Sequence, residues 1–506
     1  MLGDLLEIVF STNPLTLLAT LAVASLALYC SPRSNLPLLN DKKPWELRLT
    51  NARKRFLTDA HCLIKAGLAK APAFRIVTET GKRVVLDAKY ANEIRSHDAL
   101  SFGLHTAHDF HAHITGFEPF QQGTTGDQIF QDAVRMKLTQ SLGNLTQPLV
   151  DEAVIALQTY WTDDPDWHTF SLKPNILKVV AQLSSRIFLG DQICRDPNWL
   201  RITVDYTIDS FMAAEELRLW PKALRSIVAW FLPSCRKIRA ELQEAQQIIQ
   251  SVLDARRRDK QDAISAGKVP ERYNDAMEWL DECAKGRSYE PAFGQLIFSV
   301  AAIHTTSDML TQVLYDLCGR NELIKALREE VITVVQEEGW KKPTLYKLKL
   351  MDSVLKESQR LKPISIVSMR RVATADLKLS DGTYIPKDTF IAVSSERMWD
   401  PRIYPDPLEF DGYRFLKLRE VPGHETSAQA VAPSPEHMGF GFGRHACPGR
   451  FFAINEVKIA LCHILLKYEF KLVDGSVPQI RKRAISLNAD PRAQVMIRRR
   501  QEEIVL

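Results

Sequence analysis

FGFGRHACPG, residues 440–449, is the stretch that decides the fold, because it sets Cys447 in a glycine-rich turn directly before a predicted helix, residues 451–467. Glycine lets the backbone turn tightly over the cysteine sulfur. The first amides of the helix then point at the sulfur and stabilise its thiolate form. A thiolate held in this way can be the axial ligand of a haem iron. The alternative, an ordinary buried cysteine after a glycine turn, would require this whole run of residues to agree by chance.

The spacing F-x-x-G-x-H-x-C-x-G in this stretch resembles the cysteine-ligand loop of the cytochrome P450 family at every fixed position. The resemblance implies a haem b cofactor whose iron takes an axial thiolate from Cys447. It also implies that Phe440 and His445 contact the haem, with His445 at a propionate. The implied fold is mainly α-helical with a smaller β-rich part, and here one N-terminal transmembrane helix is expected before it.

A second match is Glu357-Ser358-Gln359-Arg360, which resembles the family's E-x-x-R element. The i,i+3 spacing puts Glu357 and Arg360 on one helix face, where they can pair. Taken alone, such a pair is a common surface salt bridge. Here the segment PLEFDGYRF, residues 407–415, follows it and resembles the family segment that supplies a second arginine, Arg414. The resemblance implies a structural network of Glu357, Arg360 and Arg414 around the cysteine loop.

A third match is AAIHTT, residues 301–306, at the centre of a predicted helix over residues 293–318. It resembles A-G-x-(D/E)-T-T of the family's oxygen-binding helix, and the resemblance implies that Thr305 relays protons. Threonine is a poor helix-interior residue because its hydroxyl competes for backbone hydrogen bonds. Two positions depart from the pattern, since Ala302 replaces the usual glycine and His304 the usual acid. Histidine can also relay protons near neutral pH, so His304 is either a catalytic relay or a residue that shapes the pocket.

Weaker matches complete the predicted haem site. Arg135 lies where the family has the arginine of W-x-x-x-R, which reaches a haem propionate, although Gln131 replaces the tryptophan. Arg370 is the candidate for a third cationic partner, and the sequence does not distinguish it from Arg371. A buried propionate needs such charge-assisted partners. For each of these arginines, taken alone, the alternative interpretation is a solvated surface charge.

The body of the 506-residue chain has no linker, repeat or low-complexity tract. The resemblance covers about residues 50–500, so residues 33–506 are expected to form one haem-thiolate catalytic domain. Its β-rich part is predicted near the N-terminal side, where residues 74–77 and 83–86 read as a hairpin. Residues 378–386 read as a second hairpin with an Asp-Gly turn. Eight scattered cysteines without a CxxC pair predict no disulfide framework and suit a reducing compartment.

The N-terminus predicts a membrane anchor, residues 1–32. Residues 8–30 are predominantly apolar, and a helix of that length can span a bilayer core. Asp4 and Glu7 precede the apolar run, and a cluster of basic residues follows it between Arg33 and Arg55. The positive-inside rule therefore predicts a cytosolic catalytic domain. The resemblance to microsomal family members implies a single-pass protein of the endoplasmic reticulum membrane. A cleaved signal peptide is the alternative, but the basic n-region that it needs is missing.

The net charge of +5 is mild, and no interleaved basic-aromatic pattern predicts nucleic-acid binding. Arg444, Arg450 and Lys458 are predicted to form a cationic face for an acidic electron donor, although they could simply be solvated. The family resemblance implies an NADPH-dependent cytochrome reductase as that donor, with cytochrome b5 as a second candidate.

The predicted cover of the pocket is residues 102–120, which hold four histidines, His105, His108, His111 and His113. Four histidines could indicate a metal site, but no cysteine or fixed acidic partner accompanies them. A loop and short helix facing the haem is the preferred interpretation.

A second apolar stretch, residues 211–232, is called the lid segment below. It is consistent with a lid dipping into a membrane surface, with core packing as the alternative. Both segments predict a bulky lipophilic substrate. The amino-acid sequences of residues 304–308 and 438–453 resemble those of filamentous-fungal family members. These members include ent-kaurene-oxidase-like enzymes and tailoring oxygenases of indole-diterpene, meroterpenoid and alkaloid pathways.

Three classes of function remain at this point. A monooxygenase hydroxylating or otherwise oxidising a terpenoid, meroterpenoid or indole-diterpene in fungal secondary metabolism is preferred, with a tailoring oxidase of an indole alkaloid as a variant. A haem-thiolate isomerase or dehydratase that needs no reductase ranks lower, because such family members often lose the threonine that Thr305 represents. A non-catalytic haem-binding or sensor protein would need neither Thr305 nor a lipophilic lid.

Overall fold

A computed structural model describes residues 35–124 and 128–504 of the chain. The predicted anchor, residues 1–32, lies outside these ranges. Within them, no helix has the length and apolar character that crossing a membrane requires. The described chain is mainly helical, with a smaller β-rich part, as the resemblance implies.

Seventeen α-helices make up most of the described residues. They are α1 (Thr50–Leu68), α2 (Ala91–Ile94), α3 (Phe102–Asp109), α4 (Glu118–Gln122), α5 (Ile129–Asp132), α6 (Thr139–Trp161), α7 (Leu172–Leu189), α8 (Pro197–Arg218), α9 (Arg225–Val228), α10 (Pro233–Ser265), α11 (Ala276–Ala284), α12 (Pro291–Leu317), α13 (Asn321–Glu338), α14 (Lys342–Lys347), α15 (Lys349–Leu361), α16 (Arg414–Arg419) and α17 (Arg450–Lys467). A π-helical segment, Ala133–Leu138, joins α5 to α6.

The described strands are short. They are β1 (Leu38–Leu39), β2 (Ala73–Thr78), β3 (Gly81–Leu86), β4 (Leu100–Ser101), β5 (His168–Ser171), β6 (Val367–Ala373), β7 (Leu377–Lys378), β8 (Tyr384–Ile385), β9 (Phe390–Ser394), β10 (Tyr468–Leu472), β11 (Arg481–Arg483), β12 (Ser486–Asn488) and β13 (Gln494–Arg499). Six of them form one sheet in the order β1-β2-β3-β9-β6-β4.

Both predicted hairpins are present. Strands β2 and β3 pair antiparallel with Thr78 opposite Gly81, and β7 pairs with β8 around the Asp381-Gly382 turn. The expectation that the β-rich part lies near the N-terminal side is too narrow, because β6 and β9 come from the second half of the chain. The large sheet therefore joins the N-terminal hairpin to the strands that follow α15.

Helix α12 forms the centre of the helical part and packs against α7, α8, α10 and α15. It starts at Pro291, where the missing amide hydrogen costs nothing, and the Glu290 side chain caps the Ala292 amide. It ends at Leu317, two residues before Gly319, whose φ is 82°. The prediction for this helix, residues 293–318, agrees with the structure to within two residues. Its long apolar run leaves most of its side chains buried.

Candidate active site

The Cys447 loop is shaped by backbone geometry that only glycine accepts at two positions. The Cys447 amide donates to the Phe440 carbonyl at 2.8 Å. Gly441 and Gly443 have φ values of 74° and 76°, a region that residues with a Cβ rarely adopt. Gly443 also lacks space, because a Cβ there would lie 2.4 Å from the Arg95 Cβ. The glycines of the motif therefore hold the loop closed around the cysteine.

The residue Cys447 is partly exposed and lies just before α17, which begins at Arg450. Burial raises the pKa of the thiol, whereas the backbone amides of Gly449 and Arg450 and the charge of Arg450 act against that rise. The Arg450 guanidinium is fixed by a 2.8 Å hydrogen bond to the Cys447 carbonyl. The amides of the helix start thus point at the sulfur, which is the arrangement that a thiolate ligand requires.

Accessible surface remains around the sulfur and in the middle of α12, although both lie inside the fold. Ala301 and Thr305, one helical turn apart, are exposed in a helix that is otherwise mostly buried. Phe440 is partly buried and packs against the main hydrophobic cluster. Side chains that are accessible within a core line internal space, so the fold leaves room beside Cys447 and Thr305.

Basic side chains gather beside the loop. Burial, together with the charges of Arg371, Arg444 and Arg135, lowers the pKa of His445 to about 4. Arg135 donates to the Arg444 carbonyl at 3.1 Å. The Arg371 guanidinium lies 5.4 Å from the Phe102 ring, which in turn lies 5.9 Å from the His445 ring. Neither Arg135 nor Arg371 has an ion pair within the described ranges. An accessible thiol beside uncompensated cations fits a haem, whose iron takes the sulfur and whose propionates take the cations.

The structure corrects the choice of Arg370 as the third cationic partner. Arg371, next to it on β6, is buried beside Phe102, and its charge lowers the pKa of His445. The charged groups that affect the pKa of Arg370 are instead Asp109, Arg83, Glu79 and Arg218. Consecutive strand residues point in different directions, so only one of the two arginines can face the loop. Arg371 is that residue, and the role of Phe102 beside it carried no signal in the sequence.

Thr305 and His304 are directed to different surroundings on α12. The Thr305 hydroxyl donates to the Ala301 carbonyl at 2.9 Å and approaches the Ala302 carbonyl at 3.1 Å. The His304 Nε2 lies 3.1 Å from the Val204 carbonyl on α8, and burial lowers the pKa of the ring. Because a carbonyl can only accept, Nε2 carries the hydrogen in this contact. His304 therefore links α12 to α8, which supports pocket shaping over proton relay.

Glu357, Arg360 and Arg414 form one network. Both Arg360 and Glu357 are fully buried, and two parallel hydrogen bonds of 2.8 Å join them. Arg414 Nε donates to Glu357 Oε1 at 3.0 Å. Arg360 also donates to the carbonyls of Met398 at 2.6 Å and Pro407 at 2.7 Å. The network ties α15 to the segment before α16, and its members touch neither Cys447 nor Thr305 in the described structure.

The predicted docking face needs a correction at Lys458. This side chain is buried, and its ammonium lies 2.7 Å from the Asp352 carboxylate. Arg450 is partly buried and donates to the carbonyls of Val431 and Cys447. Only Arg444 of the three is exposed, and it pairs with Asp98 at 2.6 Å. Lys458 lies between two apolar residues, Val457 and Ile459, which are also buried. This apolar context is the feature of the sequence that indicates a buried helix at this point.

The four histidines of α3 and of the turns that follow it do not form a metal cluster. Among the residues that the structure describes, no group of three or more His, Cys, Asp or Glu side chains could hold an ion. His105 is buried 3.7 Å from the Asp109 carboxylate, and His108 lies 3.2 Å from it. The segment forms a short helix followed by turns, as predicted, and packs against β6.

The lid segment is exposed rather than packed into the core. Most of its large apolar side chains are exposed, with values between 42% for Trp220 and 82% for Leu219. The set comprises Phe211, Met212, Leu219, Trp220, Leu224, Ile227, Trp230 and Phe231. Core packing, the alternative for this stretch, is therefore wrong for these residues. An exposed apolar patch of this kind marks an interaction surface.

A cleft of about 1420 Å³ includes none of the predicted site residues among its lining. A second cleft of about 530 Å³ lies between the β2–β3 hairpin and the lid segment. The chemistry of the site therefore rests on the Cys447 loop and α12 rather than on either of these clefts.

Comparisons with known proteins identify the family of the chain. Residues 128–496 match the family model described as cytochrome P450. The chain is 55% identical to cytochrome P450 monooxygenase adrA of Penicillium rubens, over 99% of both chains. It is 48% identical to cytochrome P450 monooxygenase ptmU of Penicillium ochrochloron, over 94% of both chains.

A solved structure shares the fold. The retinoic-acid-bound cyanobacterial CYP120A1 superposes with a TM-score of 0.65 at 18% identity, covering 92% of this chain and 99% of its own. The family and fold imply a haem-thiolate cofactor with iron, and the accessible Cys447 thiol and its neighbouring cations fit that group. The chain belongs to the cytochrome P450 family and is a haem-thiolate monooxygenase.

Proposed function

We propose that the protein oxidises a bulky lipophilic substrate of terpenoid, meroterpenoid or indole-diterpene type in fungal secondary metabolism. The observation that carries the oxidation is the exposed Thr305 in a mostly buried α12, together with the partly exposed Cys447. The exposed apolar side chains of the lid segment support a lipophilic substrate. The haem, when bound, supplies the activation of dioxygen. The chain supplies an axial thiolate from Cys447, cations for the propionates, a hydroxyl at Thr305 that can pass a proton, and apolar walls that exclude water.

The terpenoid class rests on the resemblance to fungal family members and is tested by product analysis. The protein is co-expressed with an NADPH-cytochrome reductase in a host that is fed candidate terpenoids and, separately, indole alkaloids. Oxidised terpenoids in the mass spectrum, with NADPH consumption that depends on the reductase, support the proposal. Products formed without reductase would instead indicate the isomerase or dehydratase alternative.

We propose that the reductase, with cytochrome b5 as a second donor, docks on the side of the fold where the Cys447 loop reaches the surface. Arg444, which pairs with Asp98, is an exposed cation on this side, and the buried Lys458 does not contribute. The salt dependence of electron transfer in the co-expression system tests the electrostatic part, since exposed charge pairs are screened by salt.

Replacing Thr305 with alanine is expected to uncouple NADPH consumption from product formation. The substitution removes the only hydroxyl at this accessible position and leaves most of its volume. Substrate binding and electron transfer should continue, while protons reach the reacting oxygen less efficiently and hydrogen peroxide is released. The measurement is the ratio of product and peroxide to NADPH consumed.

The matched control is Thr306→Ala, because Thr306 is the adjacent threonine and is buried away from the internal space. It should keep coupling near the wild-type value. His304→Ala, in the same assay, should change substrate affinity or regioselectivity more than coupling, because the ring bonds to Val204. Normal coupling in Thr305→Ala would refute the relay assignment.

We propose that the protein is a single-pass protein of the endoplasmic reticulum membrane, with residues 1–32 as anchor and residues 33–506 as cytosolic domain. The apolar and basic pattern of the N-terminal sequence supports this. The exposed apolar side chains of the lid segment support a second, weaker contact with the membrane surface.

Deleting residues 1–32 is expected to move most of the protein from the membrane fraction to the soluble fraction while haem binding is retained. The physical reason is that the anchor contributes far more apolar area to the bilayer than the lid segment can. Fractionation after a salt wash measures the distribution, and the reduced carbon-monoxide spectrum measures haem binding. A truncated protein without the thiolate spectrum would show that the anchor is not separable.

A further inference from the structure

Lys356, on α15, is a buried lysine that packs against irregular backbone. Only 2% of its surface is exposed. Its ammonium donates to the carbonyls of Ser427 at 3.0 Å, Gln429 at 2.7 Å and Ala432 at 2.8 Å. An ammonium has three N–H donors, so these three carbonyls use all of them. The carbonyls belong to residues 427–432, called the carbonyl segment below, which contain no helix or strand.

Asp352, one helical turn before Lys356, also holds the carbonyl segment. Its carboxylate accepts from the Ala430 amide at 2.9 Å and pairs with the Lys458 ammonium at 2.7 Å. Ala428 and Ala430 are buried, and buried backbone groups need hydrogen-bond partners. The two side chains of α15 supply four such hydrogen bonds to this segment. The position of the carbonyl segment is therefore fixed by α15.

Arg450 connects the carbonyl segment to the cysteine. Its Nε donates to the Val431 carbonyl at 3.0 Å, and its Nη1 donates to the Cys447 carbonyl at 2.8 Å. Val431 lies between Ala430 and Ala432, both of which bond to side chains of α15. The charge of Arg450 acts against the rise in the pKa of the Cys447 thiol, so it favours the thiolate. A guanidinium is planar and rigid, so the two carbonyls that it binds set the place of its charge.

We propose that Lys356 is a positioning residue for the axial thiolate, and that it acts through the carbonyl segment and Arg450. A positive charge beside the sulfur favours the reduced state of an iron that the sulfur binds, because reduction adds negative charge to the site. A carbonyl segment that Lys356 no longer holds lets the Arg450 charge move away from the sulfur. The reduction potential of the iron then becomes more negative. The inference goes beyond the proposed function and does not depend on its substrate class.

The test compares the reduction potential of the iron among variants of the haem-loaded full-length protein, without substrate, by spectroelectrochemistry. Arg450→Met removes the charge and should lower the equilibrium constant for iron reduction about tenfold, which is a shift of about 59 mV for one electron. Lys356→Gln keeps two N–H donors on a shorter side chain. It should shift the potential in the same direction by a smaller amount.

The double variant, Lys356→Gln with Arg450→Met, separates a positioning role from a merely structural one. It should have the potential of Arg450→Met alone, because two changes that act on one route do not add. Lys356→Arg should restore the potential toward that of wild type, since a guanidinium can again donate to several carbonyls. Additive shifts in the double variant, or an unchanged potential in haem-loaded Lys356→Gln, would overturn the proposal.

The matched control is Arg328→Met, because Arg328 on α13 donates to the carbonyls of Leu465 at 2.7 Å and Tyr468 at 3.1 Å, at the far end of α17. It should lower the unfolding temperature and leave the potential unchanged, whereas an equal shift here would overturn the proposal. An unchanged potential in Arg450→Met overturns it even where Lys356→Gln does not load haem. The reduced carbon-monoxide spectrum of each sample shows whether the thiolate is present, which separates loss of the haem site from failure of the positioning role.

Discussion

Replacing Cys447 with serine is expected to abolish the red-shifted Soret band of the reduced, carbon-monoxide-bound protein, together with monooxygenase activity. The band reports an axial thiolate, and a serine hydroxyl is a far weaker donor to iron than a thiolate. The loop should keep its shape, because the Cys447 amide bonds to Phe440 through the backbone and not through the sulfur. Absorption spectroscopy of the dithionite-reduced protein, with haem content measured separately, gives the result.

The control for this substitution is Cys62→Ser, which changes an exposed cysteine on α1. It should leave both the band and the haem content at wild-type values. If Cys447→Ser retained the band, the ligand assignment would be wrong, and another thiol of the chain would have to lie at the iron.

Replacing Glu357 with alanine is expected to prevent stable folding and haem incorporation. The substitution leaves two arginine guanidinium groups, one of them fully buried, without their carboxylate. Breaking a buried ion pair by removing one partner costs about 3–5 kcal/mol. Proteins are stable by only about 5–15 kcal/mol in total. The haem-to-protein ratio and the thermal unfolding of the purified protein measure the loss.

Glu337→Ala is the matched control, since Glu337 is an exposed glutamate on α13. Surface charges of this kind contribute about 0–1 kcal/mol, so its haem content and unfolding temperature should stay close to wild type. A Glu357→Ala protein with full haem and only an altered turnover rate would contradict a structural role. It would move Glu357 into the chemistry of the site.

Elements whose geometry depends only on neighbouring residues could be predicted from the sequence. The glycines at 441 and 443 require a backbone that few other residues accept, and α17 starts where the motif ends. The pairing of Glu357 with Arg360 follows from helix spacing. These features depend on neighbours within a few residues, and therefore the sequence carries them directly.

Features that depend on distant partners could not be predicted. Lys458 is buried because Asp352, far away in the sequence, pairs with it. Arg371 rather than Arg370 faces His445 because a bulge at Met369 alters the course of β6. The sequence of a strand predicts that side chains alternate between its faces, but it does not predict the position of a bulge. The sequence therefore does not show which of the two arginines faces the Cys447 loop.

The contact between Gly443 and Arg95 has a consequence for the timing of assembly. It joins positions separated by more than three hundred residues. A ribosome makes a chain from its N-terminus, so the segments that receive this loop emerge long before the loop itself. The central helices are therefore synthesised before the cofactor ligand, and haem can bind through Cys447 only after residue 447 has emerged.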